Sequence, residues 1–184
     1  FLVEVEQGTW ERAGFDAMSP DDTIRACERV FAKELDGHRI LSNHSQWRRF
    51  PAIWNERWSF GNVVLLGDAL RTAHFSIGSG TRLAMEDAIA LFKAFRDVGT
   101  KDVPAALARF QQQRMPPMRT IWEAANASLR WYEDMDRLVR TLAPVELAYG
   151  YMTRTGRVDH AEVVRRDPAL AAAYEALHPE VRIG

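Results

Sequence analysis

The segment of residues 67–88 reads GDALRTAHFSIGSGTRLAMEDA and constrains the fold of this chain more than any other stretch. An apolar run at residues 63–66 precedes it between two glycines, which predicts a short buried strand. Helix-forming residues follow from 81 to 98. This order of strand, Gly-Asp loop and helix places the first backbone N–H groups of a helix at the edge of a sheet. The segment therefore predicts a binding loop for an anionic or electron-rich ligand.

Particular residues of the loop suit this purpose. Gly78 and Gly80 let the backbone approach a flat ligand closely. Asp68 follows the predicted strand and is a natural acceptor for a ligand hydroxyl, as ribose-binding acids are in nucleotide folds. The loop matches neither a P-loop nor a Rossmann fingerprint, because it has no Gly-Lys-Ser/Thr and no third glycine at the required spacing. A tight turn with a helix cap is the structural alternative for the same pattern.

Composition narrows the classes of partner. The hydrophobic share is 47%, and no apolar run approaches the roughly 18 residues of a membrane span. The net charge of -1 gives no basic field, so neither nucleic acid nor a membrane is an expected partner. Cys27 is the single cysteine, which excludes an internal disulfide and makes a reducing cytoplasm the default location. The five histidines have no metal-binding spacing, so no metal is expected.

Hydrophobic periodicity predicts an α+β fold in which a few strands precede long helices. Residues 1–6 are predicted as a strand, and residues 38–60 as one or two strands interrupted at Pro51. Ser19 is the predicted N-cap of a helix that Gly37 ends. Cys27 lies on the apolar stripe of that helix and is expected in the core. The later predicted helices are 103–135 interrupted at Pro116 and Pro117, 137–149, and two short ones near His160 and Pro168.

Several groups of residues outside the loop have two interpretations each. The adjacent Glu86 and Asp87 diverge by about 100 degrees on a helix, which favours a solvated face or a contact with a neighbouring element over acid/base catalysis. The arginine pairs 48–49 and 165–166 can meet the phosphates of a CoA thioester or of NAD(P)H, or remain on the surface. Five aromatic residues can line a pocket or form the hydrophobic face of a sheet: Trp47, Phe50, Trp54, Trp58 and Phe60.

The stretch NVVLLGDALRTAHFSIGSGTRLAMEDAIAL resembles the second FAD-binding motif of the flavoprotein aromatic hydroxylases, the monooxygenases of the para-hydroxybenzoate hydroxylase type. The usual motif is Gly-Asp-Ala-Ala-His, a Pro-Pro pair, a Gly-x-Gly loop, and a helix with an acidic residue before Ala. HFSIGSGTRLAMEDAI and ELDGHRILSN are most similar to the acyl-CoA-linked branch, which includes salicylyl-CoA 5-hydroxylase and 2-aminobenzoyl-CoA monooxygenase/reductase. The motif covers about thirty residues, and a looser resemblance covers most of the chain.

The resemblance implies an FAD cofactor that NAD(P)H reduces. It also implies hydroxylation of an aromatic substrate, such as an aromatic acyl-CoA, through a flavin C4a-hydroperoxide. Asp68 would bind the ribityl chain, and the amides of Gly80, Thr81 and Arg82 would face the pyrimidine edge of the flavin. The cofactor-binding residues expected from the resemblance are Gly67, Asp68, Gly78, Ser79, Gly80, Thr81 and Arg82. No side chain is assigned a catalytic role, because the flavin carries out the oxidation itself.

The chain departs from the usual motif at several positions. Leu70 and Arg71 replace Ala and His in what is expected to be the outer part of the loop, and Arg82 stands where Asn is common. His74 and Phe75 replace the Pro-Pro pair, where the family's loop passes between flavin and substrate. With Trp47, they are therefore the expected substrate-pocket residues. His74 can hydrogen-bond a substrate phenol or amine, or it can be solvated or structural.

The family's first FAD motif, Gly-x-Gly-x-x-Gly, and its middle Asp-Gly motif have no match in this sequence. The chain is therefore predicted to be the C-terminal portion of a para-hydroxybenzoate hydroxylase-like FAD-binding fold, with the N-terminal FAD-binding half as its missing partner. We expect it to hold FAD weakly by itself. The predicted segments are the end of the substrate-binding sheet with one helix (1–60), the second FAD motif (61–98), C-terminal helices (99–152), and a loosely attached tail or linker (153–184). A reductase domain can follow.

A function of another class remains open. The chain can be a non-catalytic helical interaction or regulatory module that retains the flavin loop as a scaffold. A coloured protein that consumes NAD(P)H would distinguish the enzyme from this module.

Overall fold

The computed structural model describes residues 2–181, apart from the side chain of Ile77. The chain forms two compact units, Phe1–Arg49 and Phe50–Gly184. The helices of the first unit are α1 (Gln7–Arg12), α2 (Pro20–Val30) and α3 (Ala32–Leu35). Ser19 caps α2 as predicted, because its hydroxyl accepts a hydrogen bond from the backbone N–H of Asp22 at 3.1 Å.

The first unit corrects two predictions. The strand predicted at residues 1–6 is wrong where it can be checked, since residues 2–6 form no strand; Phe1 lies outside the described residues. A strand needs a backbone partner, and Glu6 instead caps α1 by accepting from the N–H of Gly8 at 2.6 Å. The single helix predicted up to Gly37 is broken at Phe31 between α2 and α3. Cys27 is buried, as its place on the apolar stripe predicted.

The second unit contains the sheet, which is a single short hairpin in the described residues. Its strands are β1 (Ser59–Phe60) and β2 (Val63–Val64), which pair antiparallel. The strands predicted over residues 38–60 are therefore wrong for most of that range. The buried strand predicted at 63–66 is also shorter and more open than expected, with Val63 61% exposed. A hairpin with no third strand beside it has little to lengthen or cover it.

The second unit is otherwise helical, in agreement with the prediction that few strands precede long helices. Its helices are α4 (Gly80–Val98), α5 (Val103–Glu133), α6 (Met135–Thr141), α7 (Pro144–Thr153), α8 (His160–Arg166) and α9 (Pro168–Leu177). The interruption predicted at Pro116 and Pro117 is wrong, because α5 continues through both. Each proline removes one N–H donor, while Met118 is fully buried and packing against α4 holds the helix together.

The C-terminal region differs from prediction in two ways. The helix predicted at 137–149 is divided between α6 and α7, because Ala143 precedes a proline and adopts an extended backbone with ψ 153°. Residues 153–184 were expected to be a loose tail or linker, but in the described part of this range α8 and α9 pack against α7. The rings of Tyr149 and Tyr174 stack with centroids 3.6 Å apart. Val163 and Ala171 are buried, so apolar contacts anchor this segment.

The hydrophobic core of the second unit lies between α4, α5 and the loop that joins β2 to α4. Its buried members are Trp58, Leu70, Leu83, Ala94, Phe110 and Met118. Trp58 is thus a core residue, whereas Phe60 is largely exposed. Because Leu70 belongs to the core, the loop that carries the motif is fixed to the helices on both sides.

Candidate functional site

The loop between β2 and α4 contains two 3₁₀ turns, Gly67–Ala69 and Phe75–Ile77. Gly67 has a left-handed backbone with φ 57°, and a Cβ there would lie 3.4 Å from the Cβ of Ala84. The left-handed backbone favours glycine here, since a Cβ at that distance from Ala84 would be in ordinary contact. Leu70 and Arg71 are 0% and 4% exposed, so the expectation that they form the outer part of the loop is wrong. They turn inward because Leu70 completes the core.

A cleft of about 680 Å³ lies where the loop meets the start of α4. Its lining includes Asp68, His74, Phe75 and residues 78–81, which is most of the predicted site. Gly67 stands behind the cleft, against α4. The Arg82 side chain is exposed and lies 3.8 Å from Glu86. The structure therefore brings most of the predicted loop residues to one surface, while their roles toward a cofactor stay predictions.

The N-terminus of α4 supplies hydrogen-bond donors to this surface. The first intrahelical bond runs from the N–H of Leu83 to the carbonyl of Ser79 at 2.9 Å. The preceding N–H groups of Gly80, Thr81 and Arg82 have no partner in the described part of the chain, and the Ser79 side chain does not cap the helix. No acidic residue occupies the first turn. These amides and the helix dipole favour a ligand edge with negative charge.

Space and an acceptor complete the binding surface. A Cβ added at Gly80 would meet no atom within 4 Å, so the backbone there faces open space. The carboxylate of Asp68 is exposed and has no hydrogen-bonding partner among residues 2–181. It can therefore accept hydrogen bonds from ligand hydroxyls. A flat ligand with an electron-rich edge and a hydroxylated chain fits this arrangement.

His74 and Phe75 form an aromatic wall of the cleft. Their rings stack with centroids 4.4 Å apart, and Phe50 meets Phe75 edge to face at 5.5 Å. The N–H of Ser76 donates to Nδ1 of His74 at 3.3 Å. Trp47 belongs to the first unit, where its ring lies 4.7 Å from that of Phe15. Its role toward substrate stays a prediction.

A buried serine of α5 forms a hydrogen bond with the turn that follows His74. The hydroxyls of Ser76 and Ser128 are 2.9 Å apart, and Ser128 is fully buried. Nε of Arg154 donates to the Ser128 hydroxyl at 3.1 Å. The guanidinium of Arg154 also lies over the Tyr151 ring at 4.1 Å. The end of α7 is thereby connected to the wall of the cleft.

A buried charge network lies beneath the loop. Asp87 is fully buried; its Oδ2 is 2.7 Å from Nη1 of Arg71, and its Oδ1 is 2.9 Å from Nε of Arg114. Glu86 binds Nη2 of Arg114 at 2.7 Å. Of the two alternatives for Glu86 and Asp87, the contact with neighbouring elements is confirmed, and a solvated face is wrong for Asp87. Sequence reasoning missed this network because Arg114 is 27 positions from Asp87.

The structure also bears on the second arginine pair, on metal sites and on membrane helices. Arg165 and Arg166 both bind Glu162, at 2.5 Å and 2.6 Å, which matches the surface alternative for this pair. These two guanidiniums lower the pKa of Glu162 to about 2. Within the described chain, no group of three His, Cys, Asp or Glu side chains is arranged to hold a metal ion. No helix there has both the length and the apolar character needed to cross a membrane.

Comparison with known proteins identifies the family. Residues 9–125 match the family described as FAD binding domain, and this span is more than half of the chain. The chain belongs to this FAD-binding family. FAD is the cofactor of the family, and the cleft fits it through the amides of α4, the free Asp68 carboxylate and the open space at Gly80.

Several curated proteins are similar over most of the chain. A salicyloyl-CoA 5-hydroxylase from Streptomyces sp is 38% identical over 178 residues, which is 92% of this chain. A protodeoxyviolaceinate monooxygenase from Chromobacterium violaceum is 38% identical over 74% of the chain. A 3-hydroxy-4-methyl-anthranilyl-(aryl-carrier protein) 5-monooxygenase from Streptosporangium sibiricum is 43% identical over 61% of the chain. The matched regions cover 34%, 36% and 33% of these relatives, so the chain spans about a third of their length.

Proposed function

We propose that this chain is the part of an FAD-dependent aromatic monooxygenase that holds the flavin ring. One observation carries the proposal: the Asp68 carboxylate and the N-terminal residues of α4 line the same cleft in a member of an FAD-binding family. Bound FAD would supply the oxygen chemistry, which no side chain of the chain provides. The residues of this chain would bind the cofactor, orient it and form the aromatic wall beside it.

Each polar group of the cleft has a specific part in this proposal. Asp68 accepts hydrogen bonds from the hydroxyls of the ribityl chain. The amides of Gly80, Thr81 and Arg82 donate to the pyrimidine edge of the ring, where the helix dipole favours the negative charge of the reduced state. Gly67, Gly78 and Ser79 shape the backbone around the ring. The open space beside Gly80 supports such close contact.

The proposed substrate is an aromatic ring attached to a carrier through a thioester. Two relatives support this class, because one is named for a salicyloyl-CoA substrate and another for an anthranilyl group on an aryl-carrier protein. His74 would hydrogen-bond a phenol or amine of the ring. Phe75 would pack against the ring.

The proposal extends to the rest of the enzyme. NAD(P)H is the proposed reductant, and an N-terminal FAD-binding half of the same protein would bind the adenosine and pyrophosphate. A reductase domain is a further proposed partner, and nucleic acid is not one. The proposed location is the cytoplasm, where NAD(P)H is available.

The first test is the visible absorption spectrum of the full-length protein that contains this chain, purified without added cofactor. We expect oxidised-flavin bands and NAD(P)H consumption that an aromatic acyl thioester accelerates more than the free acid does. A colourless protein that takes up no added FAD would contradict the proposal and favour the non-catalytic module. Flavin binding without any stimulation by aromatic thioesters would contradict the substrate class alone.

Asp68 can be tested separately. Asp68→Ala should weaken FAD binding by about 1–3 kcal/mol, because ligand hydroxyls lose their acceptor. Glu133→Ala is a suitable control, since Glu133 is an exposed carboxylate of α5 outside the cleft lining. Flavin content measured by absorbance should fall for Asp68→Ala alone. Equal flavin content in both variants would refute the role of Asp68.

A further inference from the structure

Arg71 lies between the loop and α4 and joins them through one nitrogen atom. Its Nη1 donates to the carbonyl oxygen of Gly67 at 3.2 Å and lies 2.7 Å from Oδ2 of Asp87. The N–H of Gly67 also points to Oδ2 of Asp87, at 3.4 Å. Arg71 and Asp87 are 4% and 0% exposed. Two buried side chains therefore hold both backbone polar groups of one residue.

This arrangement bears directly on Asp68, which follows Gly67 in the chain. The peptide that joins the two residues contains the Gly67 carbonyl, which accepts from the backbone N–H groups of Leu70 and Arg71 at 3.1 Å each and from the Arg71 side chain at 3.2 Å. The side-chain bond adds to the two backbone bonds in restricting the plane of that peptide. The exposed Asp68 side chain begins at the next Cα. Its own carboxylate has no partner in the described residues that could set its direction. The position of this carboxylate thus depends on the backbone behind it.

We propose that Arg71 is a positioning residue that acts through the Gly67 peptide to hold the Asp68 carboxylate in place for the flavin. The inference rests on the proposed function, in which Asp68 binds FAD. Arg71 does not line the cleft and would not touch the cofactor itself. Its contribution is to reduce the range of positions that Asp68 samples before binding, which lowers the ordering cost of binding.

The chain offers a matched control in Arg114. This arginine binds the other oxygen of the same carboxylate, Oδ1 of Asp87, at 2.9 Å and is also largely buried. Its remaining contacts are the carbonyl of Leu83 at 3.3 Å and Glu86 at 2.7 Å, both on α4. Arg71 and Arg114 therefore both bind the Asp87 carboxylate, but among the described contacts of the two arginines only those of Arg71 include the loop. Loss of either should destabilise the fold, and loss of Arg71 alone should affect the cofactor.

The experiment compares Arg71→Met with Arg114→Met in the full-length protein that contains this chain. We expect both variants to melt at lower temperature than the parent. The FAD dissociation constant, measured by quenching of flavin fluorescence, should rise about tenfold or more for Arg71→Met and less than about twofold for Arg114→Met. If either methionine variant does not fold, Arg71→Lys and Arg114→Lys replace the pair, because lysine keeps the charge but lacks the planar fork.

A double-mutant cycle with Asp68→Ala tests whether the effect passes through Asp68. In the Arg71→Met background, Asp68→Ala should raise the dissociation constant by a smaller factor than it does in the parent, because the carboxylate is already misplaced. Equal factors in both backgrounds would overturn the inference, as would equal losses of FAD affinity in Arg71→Met and Arg114→Met. Unchanged affinity in Arg71→Met would overturn it too. A parent protein that binds no FAD would instead refute the proposed function.

Discussion

Asp87 provides the sharpest prediction about stability. Its carboxylate is fully buried and faces two guanidiniums, at 2.7 Å and 2.9 Å, whose own side chains are 4% and 11% exposed. Asp87→Asn keeps the shape of the side chain and removes its charge. Arg71 and Arg114 would then remain buried, with Glu86 as the nearest compensating carboxylate for Arg114. Removing one partner of a buried ion pair costs about 3–5 kcal/mol, so we expect a loss in this range.

The same helix contains a control with an equal number of arginine partners. Asp97 lies 2.8 Å from Arg96 and 3.0 Å from Arg109, but these side chains are 59% and 42% exposed. Hydrogen bonds from Arg96 and then Arg109 lower the pKa of Asp97, so it is charged at neutral pH. Asp97→Asn should nevertheless change the stability much less than Asp87→Asn does, because water screens exposed pairs.

The assay is thermal and urea unfolding of both variants at neutral pH. One kcal/mol corresponds to about 2–4 °C for a chain of this size, so Asp87→Asn should lower the melting temperature by about 6–20 °C. Asp97→Asn should lower it by clearly less than Asp87→Asn does. If the two variants lose similar stability, burial does not distinguish the two carboxylates, and the reasoning about the network is refuted.

Three further predictions concern other parts of the second unit. The Glu146 carboxylate, with a contribution from Glu180, raises the pKa of His178 above 6.5, so protonated His178 should add stability below pH 6.5 that is lost as the pH rises through the raised pKa. An NMR titration should show the raised pKa, Glu146→Gln should reduce the shift, and an unshifted pKa would contradict this. Pro117→Ala should stabilise the protein by up to about 3 kcal/mol with unchanged circular dichroism, whereas an interrupted helix would give no gain. Ser128→Ala should cost about 1–3 kcal/mol in urea unfolding by leaving the Ser76 hydroxyl without its partner, and an unchanged midpoint would contradict this.

Local signals in the sequence predicted most of the helices. Ser19 and Pro20 identified the start of α2, and glycine together with a strong helical pattern identified α4. The short helices near His160 and Pro168 were also predicted correctly. These features depend on residues within one or two turns of each other, which a sequence displays directly. The predicted strands were mostly wrong, since a strand exists only where another segment pairs with it.

Local sequence signals likewise predicted one part of the candidate site and missed another. Residue types and spacing predicted that Asp68 and residues 78–81 belong to one loop before a helix, and the structure places them along one cleft. The interior of the loop could not be predicted in this way. Arg71 was expected in the outer part of the loop, but it is buried because Leu70 completes the core and Asp87 accepts its charge.

The sequence by itself determined the family motif, the order of loop and helix, and the chemical groups that the loop contains. These depend on residue identity and on contacts between near neighbours in the chain. Only the tertiary structure decided that α5 continues through its prolines, that α8 and α9 pack against α7, and that Arg114 completes the charge around Asp87. The physical reason is that burial and ion pairing depend on segments far apart in sequence, whose meeting is set by packing of the whole unit.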